Sequence, residues 1–229
     1  DKRVAIIGTG ATAVQCIPHL GAGAKQLYVF QRTPSSISVR NNQPTDPDWI
    51  GTQKPGWQND RRTNFESFLT GAPVKEDLVS DGWTEAFRLL VGQLREEAPS
   101  KWRLALWALK GMFDQEIYQV GIKKYLTDKA MTYMDVEKKV ELADFANMEK
   151  VRARADALVE DKKTAEALKP YYRQFCKRPC FHDEYLSTFN LPNVTLIDTD
   201  GRGVDEFTER GVIYNGQEYE VDCIIFAPG

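Results

Sequence analysis

The sequence lacks the features that mark several large classes of protein. None of its apolar runs approaches the ~20 residues that a membrane-spanning helix needs. Its formal net charge of −3 gives it no basic excess of the kind that binds nucleic acids. We therefore expect neither a membrane span nor a nucleic-acid partner.

Cysteine and histidine are also scarce. The chain has 4 cysteines, Cys16, Cys176, Cys180 and Cys223, and 2 histidines, His19 and His182. Four scattered cysteines do not make a disulfide scaffold, which favours a reducing, cytoplasmic location. So few histidines leave little room for His-rich zinc sites or for hydrolase triads, and the cysteine pair at 176 and 180 has no second pair to complete a metal site. We expect no metal.

The first 34 residues have the pattern of one βαβ unit. Residues 4–7 are apolar throughout, as in a strand buried on both faces, and residues 11–20 form a helical segment despite Pro18. A second strand is predicted at 27–30, so the whole unit fits within about 30 residues. From Pro34 to about residue 79, Asn, Asp, Gly and Pro are dense, which predicts an irregular loop.

The middle of the chain, from about residue 80 to 169, has helical periodicity. Apolar side chains fall on one face in each of two segments, Phe87, Leu90, Val91 and Leu94, then Trp102, Leu106, Leu109 and Phe113. A third segment, 135–160, is so charged that we expect a mostly solvated surface helix.

Strands return after Pro170. One is predicted at 193–198, and short strands follow between 203 and 221 with turns at 209–211 and at Asn215-Gly216, a strong hairpin signal. The last, at 223–226, is apolar and of the buried type. Because the chain stops directly after this strand, we expect it to be part of a longer protein.

The stretch "VAIIGTGATAVQ" carries the clearest chemistry. Residues Gly8, Thr9, Gly10, Ala11, Thr12 and Ala13 fit G-x-G-x-x-A, the alanine variant of the dinucleotide fingerprint. Gly8 permits the tight turn, Gly10 lets the backbone approach a pyrophosphate, and Ala13 lets helix and strand pack closely. The pattern alone is unspecific, but its place between a predicted strand and helix favours a dinucleotide.

The end of the second strand bears on which dinucleotide is bound. An NAD-binding protein places Asp or Glu there to accept a hydrogen bond from the ribose 2′-hydroxyl. This chain has Gln31, Arg32 and Thr33 instead. A guanidinium can pair with a 2′-phosphate and a hydroxyl can donate to it, so we predict NADP.

These stretches, together with "LYVFQRTP", "CKRPCFHDEYLSTFNLPNVTLIDT" and "YEVDCIIFAPG", resemble the class B flavoprotein monooxygenases. The nearest branch is the Baeyer–Villiger monooxygenases, which use NADPH, FAD and O₂ to convert ketones to esters or lactones. The family's FAD motif and its F-x-G-x-x-x-H-x-x-x-W-P fingerprint are absent from the chain. The ending "FAPG" departs from the family's A-T-G, which puts the hinge to the FAD domain in doubt.

The resemblance implies roles for particular residues. Residues 9–15, including Gln15, would hold the NADP pyrophosphate and nicotinamide side, and Arg32 with Thr33 and Lys177 would hold the 2′-phosphate. Arg178 matches the arginine that stabilises the family's anionic, oxygen-bearing flavin, and it is the one catalytic residue we expect. Arginine suits that role because it stays charged when partly desolvated.

The resemblance also implies an α/β fold: a Rossmann-like three-layer dinucleotide-binding domain with a helical insertion and a small antiparallel β-meander. The NADP-binding domain would comprise residues 1–34 and 170–229, with the loop and helical insertion at 35–169. The FAD domain would lie elsewhere in the same protein. The enzyme's substrates would be a small-molecule ketone and O₂.

Three alternatives stand beside this interpretation, and the first two remain open. The parent could be a flavin monooxygenase acting on nitrogen or sulfur, including N-hydroxylases, in which Arg178 would have no equivalent role. It could instead be a non-catalytic NADP-binding redox sensor or scaffold. The third is an ordinary NADP-dependent dehydrogenase with a Tyr-x-x-x-Lys pair. Tyr125 and Lys129 have that spacing, but they lie within the predicted helical insertion, far from any strand end, so we attribute the spacing to chance.

Overall fold

We describe the protein from a computed structural model, which covers residues 1–70, 72, 74–85, 87 and 133–227. The strands are β1 (Arg3–Ile7), β2 (Gln26–Gln31), β3 (Ile37–Ser38), β4 (Cys180–Phe181), β5 (Val194–Asp198), β6 (Glu206–Phe207), β7 (Gly211–Tyr214), β8 (Gln217–Glu220) and β9 (Cys223–Phe226). The helices are α1 (Ala11–Gly23), α2 (Trp57–Thr70), α3 (Tyr133–Leu158), α4 (Lys162–Ala167) and α5 (Tyr185–Thr188), with 3₁₀ turns at Trp49–Thr52 and Gln174–Cys176.

The largest sheet that the structure describes has four parallel strands. Its strand order is β5-β2-β1-β9, and all three pairings are parallel. The chain passes from β1 to β2 on one side and later returns to β9 on the other side of β1. Because all four strands are parallel, their carboxyl ends share one edge of the sheet, and the order of strands reverses beside β1.

Both faces of this sheet are covered, as the apolar runs in β1 and β2 predict. Alternate side chains point to opposite faces. Val4 and Ile6 pack with α1, α5 and the end of α3, whereas Ala5 and Phe30 pack with the strands β7 and β8. The predicted strands at 4–7, 27–30, 193–198 and 223–226 and the helix from residue 11 are confirmed.

The strands β6, β7 and β8 form a separate antiparallel sheet in that order. The turn between β7 and β8 is Asn215-Gly216, and both residues have positive φ, at 50° and 75°. Two positive φ values are the geometry of the two-residue hairpin that Asn-Gly favours. The predicted hairpin is therefore confirmed.

Three sequence-based expectations are wrong in part. Residues 57–70 form α2 rather than loop, because the turn-forming residues end at Gly56 and Phe65, Phe68 and Leu69 then follow with helical spacing. The segment 135–160 is not mostly solvated, since the second half of α3 buries a stripe of apolar residues, Met148, Val151 and Ala155. Strand β9 is less buried than its composition suggests, because it is the last strand of its sheet and leaves Phe226 64% exposed.

The chain forms two compact units, Asp1–Arg40 with Asn147–Gly229, and Asn41–Ala146. Apart from Phe87, the two apolar helix faces predicted between residues 87 and 113 lie outside the described residues, as do Tyr125 and Lys129. Among the helices that the structure describes, none is long and apolar enough to cross a membrane.

Candidate functional site

The predicted dinucleotide site lies at the carboxyl edge of the parallel sheet. The glycine turn, which we define as residues 8–13, begins where β1 ends, and the residues after β2 lie beside it. The Gly8 amide donates to the Phe30 carbonyl at 2.9 Å, and the Ala227 amide donates to the Ile7 carbonyl at 2.9 Å. These bonds bring the ends of three neighbouring strands together where the strand order reverses, which is where open α/β sheets bind ligands.

The glycine turn has the backbone geometry that its sequence predicts. Gly8 has a φ of 106°, which L side chains rarely adopt. Thr9 is only 4% exposed, and Ala13 is fully buried between helix and sheet, as a small residue at that position allows. Ala11 and Thr12 face solvent.

The amino end of α1 offers unsatisfied donors at this turn. Gly10 precedes the helix, and its carbonyl accepts the first intrahelical hydrogen bond, from the Val14 amide at 2.9 Å. Gly10 has no side chain with which to cap the helix, and no acidic residue lies in the first turn of α1. The amides of residues 11–13 therefore have no acceptor within the helix, and the helix dipole is positive here. This arrangement fits an anionic group such as a pyrophosphate.

Gln15, a predicted cofactor-binding residue, hydrogen-bonds to the helical end of the glycine turn. Its side-chain amide donates to the Ala11 carbonyl of its own helix at 3.1 Å, and the residue is exposed. Gln15 lies one helical turn from the amino end of α1. A bound dinucleotide could accept a hydrogen bond from its amide only if the bond to Ala11 were broken.

The end of β2 provides no carboxylate for a ribose. Gln31 is fully buried, and its side-chain amide donates to the Ala167 carbonyl at 2.7 Å. Its backbone carbonyl is taken by Thr199, whose amide and hydroxyl both donate to it at 2.8 Å. Gln31 is thus committed to the protein interior, and Arg32 is the first residue after β2 that faces solvent.

Two hydroxyl hydrogen bonds fasten the segment after β2 to the glycine turn. The Thr9 hydroxyl donates to the Thr33 carbonyl at 2.9 Å, and the Ser35 hydroxyl donates to the Thr9 carbonyl. Thr33 itself is half-buried. The segment that carries Arg32 is therefore held directly against the turn that would carry the pyrophosphate.

Lys177 joins this site from a distant part of the sequence. Strands β3 and β4 pair in parallel, and the Cys180 amide donates to the Ser36 carbonyl at 3.0 Å. This pairing brings the segment before β4 beside the segment after β2. Partial burial of the ammonium and the nearby positive charge of Arg32 lower the pKa of Lys177.

Arg32 and Lys177, which we call the cation pair, have no acidic partner in the part of the chain that the structure describes. Two neighbouring cations without a carboxylate repel each other, and a multiply charged anion between them would relieve that repulsion. The pair therefore fits a phosphate better than a ribose hydroxyl.

Arg178 lies next to Lys177 but takes no part in these contacts. Its side chain is exposed, and its backbone carbonyl accepts a weak bond from the Cys180 thiol at 3.7 Å. Within the described ranges its guanidinium makes no ion pair. The structure thus brings Arg32, Thr33 and Lys177 to one edge and leaves Arg178 facing solvent beside them.

His182 stabilises a helix start, and the cysteines form no disulfide. The His182 Nδ1 accepts from the amides of Glu184 and Tyr185, at 3.1 and 3.2 Å, and so caps the start of α5, while burial lowers the pKa of the imidazole. All 4 cysteines are free, and burial raises the pKa of Cys180.

Tyr172 is the neighbour of the site that sequence reasoning missed. Its ring lies 5.3 Å from the Lys177 Nζ, measured to the ring centroid, and its hydroxyl donates to the Pro34 carbonyl at 2.9 Å. No local pattern marks it, because Pro34 is 138 residues away in sequence. Only the register of β3 against β4 reveals the contact.

Comparison with known proteins places these features in context. No protein-family model matches the chain. Over all of its 229 residues the chain is 51% identical to the Baeyer-Villiger monooxygenase ATR8 of Stachybotrys chlorohalonatus, and it covers 32% of that protein. The chain thus spans about a third of the length of the curated relatives it matches.

The comparison with solved structures also finds monooxygenases. The polycyclic ketone monooxygenase of the fungus Thermothelomyces thermophila is 42% identical with a TM-score of 0.69, and the alignment covers 99% of this chain and 32% of that one. A structure of OTEMO in complex with FAD and NADP is 27% identical with a TM-score of 0.59, covering 100% of this chain and 38% of that one. The resemblance to Baeyer–Villiger monooxygenases is confirmed, and the chain corresponds to a segment of them.

Proposed function

We propose that this chain, homologous to a segment of Baeyer–Villiger monooxygenases, is the NADP(H)-binding portion of such an enzyme. The whole protein would convert a ketone, O₂, NADPH and a proton to an ester or lactone, water and NADP⁺. The observation that carries the NADP assignment is the end of β2. The Gln31 side chain and carbonyl are hydrogen-bonded within the protein there, and the cation pair of Arg32 and Lys177 has no carboxylate partner among the described residues.

We further propose that the fold is a Rossmann-like three-layer domain with a helical insertion and a β-meander. The parallel order β5-β2-β1-β9 and the antiparallel β6-β7-β8 support it. In this proposal residues 1–34 and 170–229 form the NADP-binding domain and residues 35–169 the insertion. The compact units divide the chain nearby, after Arg40 and before Asn147.

Each part of the site would bind a different part of the cofactor. The free amides at the start of α1 would hold the pyrophosphate, with Gly8 and Ala13 allowing close approach. Arg32, Thr33 and Lys177 would bind the 2′-phosphate by charge-assisted hydrogen bonds. Gln15 would meet the nicotinamide side one turn along the helix.

We propose that Arg178 is the catalytic residue. When bound, the flavin and nicotinamide supply hydride transfer and oxygen activation, and OTEMO, a structural relative, holds both FAD and NADP. The Arg178 guanidinium is exposed and forms no ion pair with any residue that the structure describes, so it is available to stabilise negative charge that develops on a neighbouring surface. That surface would belong to the FAD domain of the same protein, and the ketone and O₂ would lie between this domain and the FAD domain.

A cytoplasmic location completes the proposal. Its support is the state of the cysteines, all of which are free. Disulfides are rare in reducing compartments.

The test is product formation by the full-length protein that carries this chain. The flavin-loaded wild type is given NADPH, a cyclic ketone and ¹⁸O₂, and labelled ester is measured by mass spectrometry beside NADPH consumption. We expect Arg178→Ala to lower ester formation by about 100-fold, while NADPH is still oxidised. Arg210→Ala is the matched control, since Arg210 pairs with Glu218 on the antiparallel sheet.

Each other outcome identifies an alternative. Ester formation that survives Arg178→Ala at the wild-type rate would remove the catalytic role. Oxygenation of amines or sulfides but not of ketones would favour a nitrogen- or sulfur-oxidising flavoenzyme. A protein that binds NADP⁺ but consumes no O₂ with NADPH would be a redox sensor or scaffold.

A further inference from the structure

Tyr172 contacts both chain segments that carry the cation pair. Its hydroxyl bonds the Pro34 carbonyl, two residues after Arg32, and its ring faces the Lys177 ammonium. The two cations reach the site from segments far apart in sequence, and Tyr172 connects them.

The hydroxyl bond depends on a neutral phenol, and the ring contact depends on the aromatic face. Burial raises the pKa of Tyr172 to about 12, so the hydroxyl keeps its proton and can donate at neutral pH. The face of an aromatic ring is electron-rich and attracts an ammonium within about 6 Å of its centroid. The ring therefore favours a charged Lys177 beside Arg32, although like charges repel.

We propose that Tyr172 is a positioning residue that sets the spacing between Lys177 and Arg32, and thereby determines the preference for a 2′-phosphate over a 2′-hydroxyl. This inference rests on the proposed function. A phosphate needs both cations at once, whereas the pyrophosphate that NADP⁺ and NAD⁺ share meets the glycine turn. Loss of Tyr172 should therefore change binding of NADP⁺ and leave NAD⁺ nearly unaffected.

The neighbouring tyrosine is a matched control. The Tyr171 hydroxyl donates to Glu166 Oε1 at 2.6 Å, and its ring lies 5.2 Å from the Arg152 guanidinium carbon. It therefore makes the same two kinds of contact, but with partners outside the site. It is also more exposed, at 69%.

The experiment measures dissociation constants of NADP⁺ and NAD⁺ by titration calorimetry on the full-length protein that carries this chain. We compare wild type, Tyr172→Leu, Tyr172→Phe and Tyr171→Leu, with thermal unfolding as a check on folding. Tyr172→Leu should weaken NADP⁺ roughly three- to tenfold and change NAD⁺ less than twofold. Tyr172→Phe keeps the ring and should lose less, while Tyr171→Leu should leave the ratio unchanged.

The outcomes separate this inference from the function on which it rests. If the wild type shows no preference for NADP⁺, the proposed function fails. If the wild type prefers NADP⁺ and Tyr172→Leu keeps the full preference, or weakens both cofactors equally, only the role of Tyr172 is overturned. If Tyr172→Leu does not fold, Tyr172→Phe decides: a preference below wild type supports the positioning role, and an unchanged one overturns it.

Discussion

The glycine turn and the cation pair lie at the same edge of the sheet, yet they are built in opposite ways. The turn is contiguous in sequence, buried at Thr9 and Ala13, and presents backbone amides. The cation pair consists of exposed side chains from two segments that meet through the β3–β4 pairing. In our proposal, the turn provides general dinucleotide affinity, whereas the cation pair provides discrimination between NADP and NAD.

The largest expected effect comes from breaking the turn. Gly8→Val places a branched side chain at a φ of 106°, which should lower the free energy of unfolding by about 1–3 kcal/mol. NADP⁺ and NAD⁺ should weaken together, because both carry the pyrophosphate. Urea unfolding and titration of both cofactors measure this.

Gly23→Ala is the control for that change. A Cβ at Gly23, the last residue of α1, meets nothing within 4 Å, so stability should stay the same or rise slightly. Equal stability of Gly8→Val and wild type would contradict the account of the turn.

Removing one cation should affect only one cofactor. Lys177→Met should weaken NADP⁺ by about tenfold, since a charge-assisted hydrogen bond is lost, and leave NAD⁺ unchanged. Lys25→Met removes the same charge just before β2, at the opposite edge of the sheet, and should change neither. A comparable loss of NAD⁺ binding in Lys177→Met would contradict the assignment.

The pKa of Lys177 also predicts a pH dependence. Because burial and Arg32 lower this pKa, the ammonium is lost at a lower pH than in an ordinary lysine. The affinity of wild type for NADP⁺ should therefore fall as the pH rises through that lowered value. The step should vanish in Lys177→Met, whereas a step that persists there would belong to another group.

A smaller effect is expected from removing a hydrogen bond between the glycine turn and the segment that carries Arg32. Thr9→Val removes the hydroxyl bond to the Thr33 carbonyl and should lower stability by about 0.5–1.5 kcal/mol. NADP⁺ should weaken more than NAD⁺, because Thr33 adjoins Arg32. Thr195→Val, on an exposed position of β5, is the control, and equal effects of the two substitutions would argue against a link between turn and cation pair.

The smallest expected effect on stability comes from an ion pair at the opposite edge of the sheet. The Arg3 guanidinium bonds the Asp222 carboxylate at 3.0 Å and lowers its pKa. That stabilisation is present above the ordinary aspartate pKa and is lost as the pH falls through the lowered one. Asp222→Asn should therefore lower the unfolding temperature slightly at pH 7 and not at strongly acidic pH, with cofactor binding unchanged. Glu209→Gln, the control, should leave the unfolding temperature unchanged at both pH values.

The sequence predicts the turn well because every residue of the turn is local to it. Gly8 and Ala13 fit a fixed spacing between a strand and a helix, and Arg32 follows from its position after the second strand. The two-residue hairpin at Asn215-Gly216 is similarly local. Such features need no knowledge of distant parts of the chain.

The rest depends on contacts that no local pattern encodes. Lys177 is predicted only through the family resemblance, and Tyr172 is missed, because both reach the site through strands of two residues each. The exposure of Phe226 depends on β9 lying at the end of its sheet rather than on its own apolar composition. Helix α2 is missed because the density of turn-formers before Gly56 outweighs the weak helical spacing after it.

The central claim is that the edge beside Arg32 selects a 2′-phosphate. Its most direct test is titration of the chain with NADP⁺ and NAD⁺ for wild type, Arg32→Ala and Arg210→Ala. Arg210 is matched in charge but shares Glu220 with Arg3, at the other end of β1. The account predicts a wild-type preference for NADP⁺ that falls by about 10- to 100-fold in Arg32→Ala and persists in Arg210→Ala. Equal affinity for both cofactors, or an unchanged preference in Arg32→Ala, would contradict it.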